Sequence, residues 1–145
     1  MRRIAIASDH GGFELKRELK RLLVGDEIEF IDLGVDDGCT SVDYPDYAAA
    51  LCEAMLSGRA PLGILVCGTG IGMSIAANRR RGIRAALCTD PYMARMAREH
   101  NDANVLCLGG RVIGAELALS ISREFLGGAF AGGRHERRLA KIDAP

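Results

Sequence analysis

The sequence predicts a three-layer α/β/α sandwich around a five-stranded parallel sheet. Short β-rich apolar runs alternate with longer runs of helical period along the whole chain. The odd polar residues collect where the apolar runs end, which is where open parallel sheets hold their ligands. The length, 145 residues, suits one compact domain over 1–145 with a core of its own. Strict βαβα alternation joins parallel strands by right-handed crossovers, so both faces of the sheet take helices.

The strand candidates are residues 3–8 (RIAIAS), 27–33 (EIEFIDL), 62–67 (LGILVC), 83–88 (IRAALC) and 104–109 (NVLCLG). Between the first two, residues 12–24 carry Leu15, Leu19, Leu22 and Leu23 on one stripe, with Glu14, Lys16, Arg17 and Lys20 on the other face. Residues 44–56 start a helix after Asp43, with Pro45 near its first position, and residues 90–100 repeat that device with Asp90 and Pro91. Residues 72–79 and 114–126 supply two more helical runs. Residues 127–145 form a polar tail after a glycine-rich break, either a short helix that folds back or a mobile end. The strand ends fall at Ser8-Asp9-His10, Asp32-Leu33-Gly34, Cys67-Gly68-Thr69, Cys88-Thr89-Asp90 and Leu108-Gly109-Gly110-Arg111.

Composition removes several function classes. Lys plus Arg equals Asp plus Glu at 19 each, so the basic surplus of a nucleic-acid binder is missing. Asp9 and His10 interrupt the first apolar run before it could serve as a signal segment, and no run approaches the roughly 18 residues of a membrane span. Cys39, Cys52, Cys67, Cys88 and Cys107 are odd in number, widely spaced and without a CxxC pair. A reduced, cytoplasmic protein without disulfides or a metal site is expected, with Cys39, Cys52, Cys88 and Cys107 as small buried hydrophobes.

The stretch ILVCGTGIGMSIAAN, residues 64–78, sets a cysteine at a strand end and a glycine turn directly after it. A dinucleotide fingerprint fails because its third small position falls on Met73, although Asp90 lies where such folds put a ribose-binding acid. A Walker loop lacks its Gly-Lys-Ser/Thr, and a cysteine phosphatase would need an arginine where Met73 stands. Chemistry at the sulfur remains. A thiol before successive backbone N–H groups and a helix start sits where thiolate is favoured, and the same N–H groups could stabilise an oxyanion formed beside it.

His100 has two readings. With Met93, Met96 and Ala97 it forms a stripe that suits a satisfied core histidine, while its place at a helix end before Asn101-Asp102 suits acid–base work. Asp9 and His10 read as a turn and helix cap. Arg134 and Arg138, four apart, would point both guanidinium groups to one side of a helical tail, a geometry that fits a dianion, and Arg111 could complete the cradle. Arg79-Arg80-Arg81 reads as a surface helix terminus, and Tyr44 either lines the pocket or packs the helix entry.

The segments SDHGGFELK, DYPDYA, CGTGIGMSIAAN, REHNDANVLCLGGRVIG and GGRHERR closely resemble the type B ribose-5-phosphate isomerases, relatives of the galactose- and allose-6-phosphate isomerases. The resemblance covers nearly the whole chain and implies a Rossmann-like sheet of order 2-1-3-5-4. It implies interconversion of aldose and ketose phosphates through a cis-enediol, without metal or organic cofactor. Cys67 would be the base; some members carry a glutamate where Met73 stands and no cysteine at position 67. Gly68, Thr69, Gly70, Ile71 and Gly72 would surround the enediolate, with Thr69 adding its hydroxyl. His100 would open the furanose ring and handle the oxygen protons. Asp9 and His10 would contact the sugar and phosphate end, Asn101 a hydroxyl, and Arg111, Arg134 and Arg138 the phosphate. Homodimers, or dimers of dimers, with sites near the subunit boundary are also implied. Ribose 5-phosphate is the first expected substrate, with four-carbon and six-carbon sugar phosphates behind it. Two other classes stay open: a nucleotide or sugar-phosphate binding module, which would not need Cys67 or His100 to titrate, and a thiol redox protein, which would need a second cysteine close to Cys67.

Overall fold

A computed structural model describes residues 1–145. The strands are β1 (Arg2–Ser8), β2 (Ile28–Asp32), β3 (Leu62–Cys67), β4 (Ala85–Leu87) and β5 (Val105–Gly109). The helices are α1 (Phe13–Leu22), α2 (Tyr44–Leu56), α3 (Ile71–Asn78), α4 (Pro91–Asn101), α5 (Ala115–Gly127) and α6 (Arg134–Asp143), and a 3-10 turn at His10–Gly12 leads into α1. All strand pairs are parallel and their order is β2-β1-β3-β5-β4, as the resemblance implies.

Strand periodicity sorts side chains onto two faces. Ile4, Ile6, Ile64, Val66, Leu106 and Leu108 join Leu15 and Leu19 of α1, Ala94 and Ala97 of α4, and Ile121 and Phe125 of α5 in one core layer. Ala5, Ala7, Leu65, Cys67, Val105 and Cys107 join Leu51 and Cys52 of α2 and Met73 and Ala77 of α3 in the other. The central strands β1, β3 and β5 are buried along nearly their whole length, which is why they read as continuous apolar runs rather than as alternation.

Several expectations need correction. Lys16 is not on the solvent face of α1: it is 2% exposed. Its ammonium donates to Asp32 Oδ1 at 2.9 Å and to the Val35 carbonyl at 2.7 Å, so a buried cation with two acceptors pins α1 to the end of β2. Cys39 is exposed rather than buried, because the Asp37 carboxylate accepts the Cys39 and Thr40 amides and turns the loop outward there. Asp90 caps α4 by accepting the Met93 amide at 2.8 Å, whereas Asp43 makes no side-chain bond to α2. The strand read over 83–88 shortens to three residues at the sheet edge, where Arg84 is drawn to Asp102 and Asp143. The tail is helical, and α6 packs back on α4. No helix is long and apolar enough to cross a membrane.

Candidate active site

The carboxyl ends of β1, β3 and β5 meet in one place. Beyond β1 the Asp9 carboxylate, 8% exposed, accepts the Gly12 amide at 3.0 Å and starts the 3-10 turn. The turn presses on β3 so closely that a Cβ on Gly12 would lie 2.3 Å from the Val66 carbonyl oxygen. His10 Nδ1 accepts the Val42 amide at 3.1 Å. A backbone N–H can only donate, so this contact requires Nδ1 unprotonated and leaves the neutral ring with its hydrogen on Nε2, free to donate outward.

Cys67 closes β3 and is 4% exposed. Its Sγ accepts the Gly70 amide at 3.1 Å. Gly70 has φ +82°, a left-handed conformation that turns the amide back toward the sulfur and that a side chain would strain. The Thr69 hydroxyl accepts the Ile71 amide at 3.2 Å, and α3 then begins with the Gly72 amide free of any backbone acceptor. The Tyr44 ring lies over that first turn: a Cβ on Gly72 would come within 2.6 Å of it. Tyr44, 37% exposed at the start of α2, therefore packs the first turn of α3 beside the cysteine loop.

Arg111 follows β5 and returns to the same place. Its amide donates to the Gly68 carbonyl at 2.9 Å, and the Gly110 amide donates to the Cys67 carbonyl at 2.8 Å. Its guanidinium covers the two glycines Gly11 and Gly68; a Cβ on either would meet it at 3.3 Å. A cation thus sits between Asp9 and the cysteine loop, a chemistry that can hold an anion. Burial raises the thiol of Cys52, pushes Cys88 up to about 11, and, with the thiol neighbours Cys67, Cys88 and Cys52, raises Cys107 well above its ordinary value. Met73 is fully buried in the core and offers nothing polar. Asp90, the acid of the dinucleotide reading, caps α4 just past the outermost strand β4, which β5 separates from β3. No cluster of His, Cys, Asp and Glu could hold a metal ion.

The remaining expected residues lie elsewhere. A crossover helix runs back along the sheet, so the last turn of α4, with His100 and Asn101, sits at the amino ends of the strands; the Asp102 that follows binds Arg84 just before β4. Six residues of β3 separate the two edges, about 20 Å at the rise of a strand. His100 is half-buried rather than a core histidine; Ala94 and Ala97 carry the buried face of α4, and Met93 is 39% exposed. The residue this reading missed is His135. It stacks on His100 with ring centroids 4.3 Å apart and planes 16° from parallel. Arg134 and Arg138 stand exposed beside it on α6. The only signal for His135 was its place inside GGRHERR, where the arginines drew the interpretation. One chain thus assembles Asp9, His10, Tyr44, Cys67, Gly68, Thr69, Gly70, Ile71, Gly72 and Arg111 at one edge. It assembles His100, Asn101, Arg134 and Arg138 at the other.

Known proteins carry the same architecture. The family described as Ribose/Galactose Isomerase matches residues 4–142. The chain is 47% identical over 144 residues to ribose-5-phosphate isomerase B of Escherichia coli, a match covering 99% of this chain and 96% of that one. The crystal structure of a ribose 5-phosphate isomerase from Thermotoga maritima agrees with a TM-score of 0.94 at 61% identity over 97% of both chains. Ribose-5-phosphate isomerase B of Clostridium thermocellum agrees with a TM-score of 0.94 at 54% identity, over 97% of this chain and 95% of that one. Fold and likeness together define an enzyme of the aldose–ketose isomerase class. The chain belongs to the ribose/galactose isomerase family, over nearly its whole length.

Proposed function

We propose that the protein interconverts ribose 5-phosphate and ribulose 5-phosphate through a cis-enediolate, without metal or organic cofactor, in a homodimer whose sites are shared between chains. The observation that carries this is the Cys67 sulfur, set at the end of β3 against the Gly70 amide, with the Arg111 guanidinium over the adjacent Gly68. In the open-chain aldose the Cys67 thiolate takes the C2 proton, and the electron pair moves through C1 to leave negative charge on O1. The Cys67 thiol then returns the proton to C1 as O2 gives up its own proton and becomes the ketone oxygen. Amides and the Thr69 hydroxyl of the loop Gly68–Gly72 stabilise the enediolate oxygens in a partly dry site, where such donors act most strongly. His100 protonates the ring oxygen as the furanose opens, then exchanges protons with O1 and O2.

His100 and Cys67 stand at opposite sheet edges of one chain, so this chemistry requires the His100 of a second copy. A two-fold axis across the sheet brings the amino edge of one chain to the carboxyl edge of the other and completes two sites at once. Ile71 and Ile75, 51% and 62% exposed, are one turn apart on α3 beside the cysteine loop and suit burial by that copy. Arg134 and Arg138 of the second chain then face His10 and Arg111 across a phosphate, and Asn101 meets a hydroxyl.

The test is a proton NMR time course with ribose 5-phosphate in D₂O beside Cys67→Ala. Ribulose 5-phosphate formation, or deuterium entry at the exchanging carbon, that disappears in the variant supports the reaction and its base. Silence with ribose 5-phosphate directs the assay to four- and six-carbon sugar phosphates; silence with all of them favours the binding module.

A further inference from the structure

We propose that His135 is a positioning residue for His100, its stacked ring holding the His100 imidazole in one orientation at the edge where the second copy docks. The catalytic consequence rests on the isomerase reading above; the stack does not.

His100 occupies the last turn of a helix, is half-buried, and takes its stacking partner from α6 rather than from its own helix. The His135 ring, by contrast, is fixed. It is 8% exposed, and Leu139, one turn further on the same face of α6, is 7% exposed. The helix is tied down at both ends: the Ala131 amide donates to the Glu99 carbonyl at 2.9 Å, and the Asp143 carboxylate meets Arg84 at 3.0 Å. Near-parallel rings 4.3 Å apart are in van der Waals contact, so rotation of the His100 ring about its side-chain bonds would drive it into His135.

Two imidazolium ions cannot share that spacing comfortably, so one of the two rings must favour the neutral form. Burial, then His100 of α4, then Arg134 and Arg138 of α6 hold His135 below its ordinary value of 6.5. Nearby Arg98 is turned away to Asp102 at 3.4 Å. His135 is therefore the ring that favours the neutral form, and it serves as the wall against which His100 is aimed.

The experiment compares wild type, His135→Ala and His135→Phe by histidine Cε1–H NMR titration without substrate, and by kcat and KM across pH with the sugar phosphate that wild type converts. Phe keeps the stack but cannot take a proton. The expected result is that His100 loses its ring-current shift in His135→Ala and keeps a strong one in His135→Phe. With Ala kcat should fall about tenfold or more at unchanged KM, and with Phe it should recover. Phe as damaging as Ala, or a change confined to KM in both variants, overturns the proposal by showing that His135 touches substrate. A wild type that converts no sugar phosphate defeats the isomerase reading alone. The titration still decides the stack then, and a His100 resonance unmoved by His135→Ala overturns it.

Discussion

Cys67 is the residue on which the proposed chemistry turns. Its neighbours Gly68 and Gly70 are glycine because a guanidinium covers one and the other is left-handed with Leu87 2.6 Å from where its Cβ would be. Cys67→Ala should lower kcat by at least ~10²-fold with KM little changed, since the lost group acts in proton transfer rather than in holding the ligand. Steady-state kinetics check this; a variant with full kcat would remove the thiolate as base. Arg138→Ala should act the opposite way, raising KM by about 10–100-fold with kcat nearly intact, the value of a charge-assisted bond made to substrate and transition state alike. A loss confined to kcat would contradict the phosphate role. The sequence showed Cys67 clearly, because a strand end and a glycine turn are local features. It misplaced Lys16, because its burial depends on acceptors distant in the chain, Asp32 and Val35, and Cys39, because a turn around the Asp37 carboxylate exposes it.

At the scale of elements, two devices fix the geometry around the site. Asp90 starts α4 and thereby sets where His100 ends up, ten residues later. Asp90→Ala should cost about 1 kcal/mol of stability, the usual worth of an N-cap, seen in denaturant unfolding as a lower midpoint at unchanged slope. Asp32 ties β2 to α1. Burial alone would raise its carboxyl, but hydrogen bonds from Lys20, Lys16 and the Gly34 amide outweigh that and hold it below its ordinary value of 3.8. A carboxyl lowered in the folded state contributes stability that is complete above the unfolded value and lost as pH falls through the folded one. The stability gap between wild type and Asp32→Asn should therefore be widest at neutral pH and close as pH drops below 3.8. A gap independent of pH would show that the ion pair is not its source. The apolar periods revealed the core elements because a buried parallel strand has no other way to read. The edge strand β4 was overestimated because Arg84 and Ala85 at its start are drawn into polar bonds with Asn104, Asp102 and Asn78.

For the whole molecule, the decisive feature is that the candidate site residues divide between two edges of one sheet. Connectivity alone contains this fact, since a residue at the end of a crossover helix must lie at the amino edge. The sequence motifs concealed it by suggesting one cluster. Strand order, in turn, came from likeness rather than from pattern, because alternation of strands and helices does not say which strands are neighbours. If each chain supplies half of every site, two crippled chains should repair each other. Cys67→Ala and His100→Ala, each inactive alone, should regain about one quarter of wild-type turnover when unfolded together, refolded and mixed in equal amounts, the share of intact sites under random pairing. Mixed dimers confirmed by mass yet inactive would contradict the shared site.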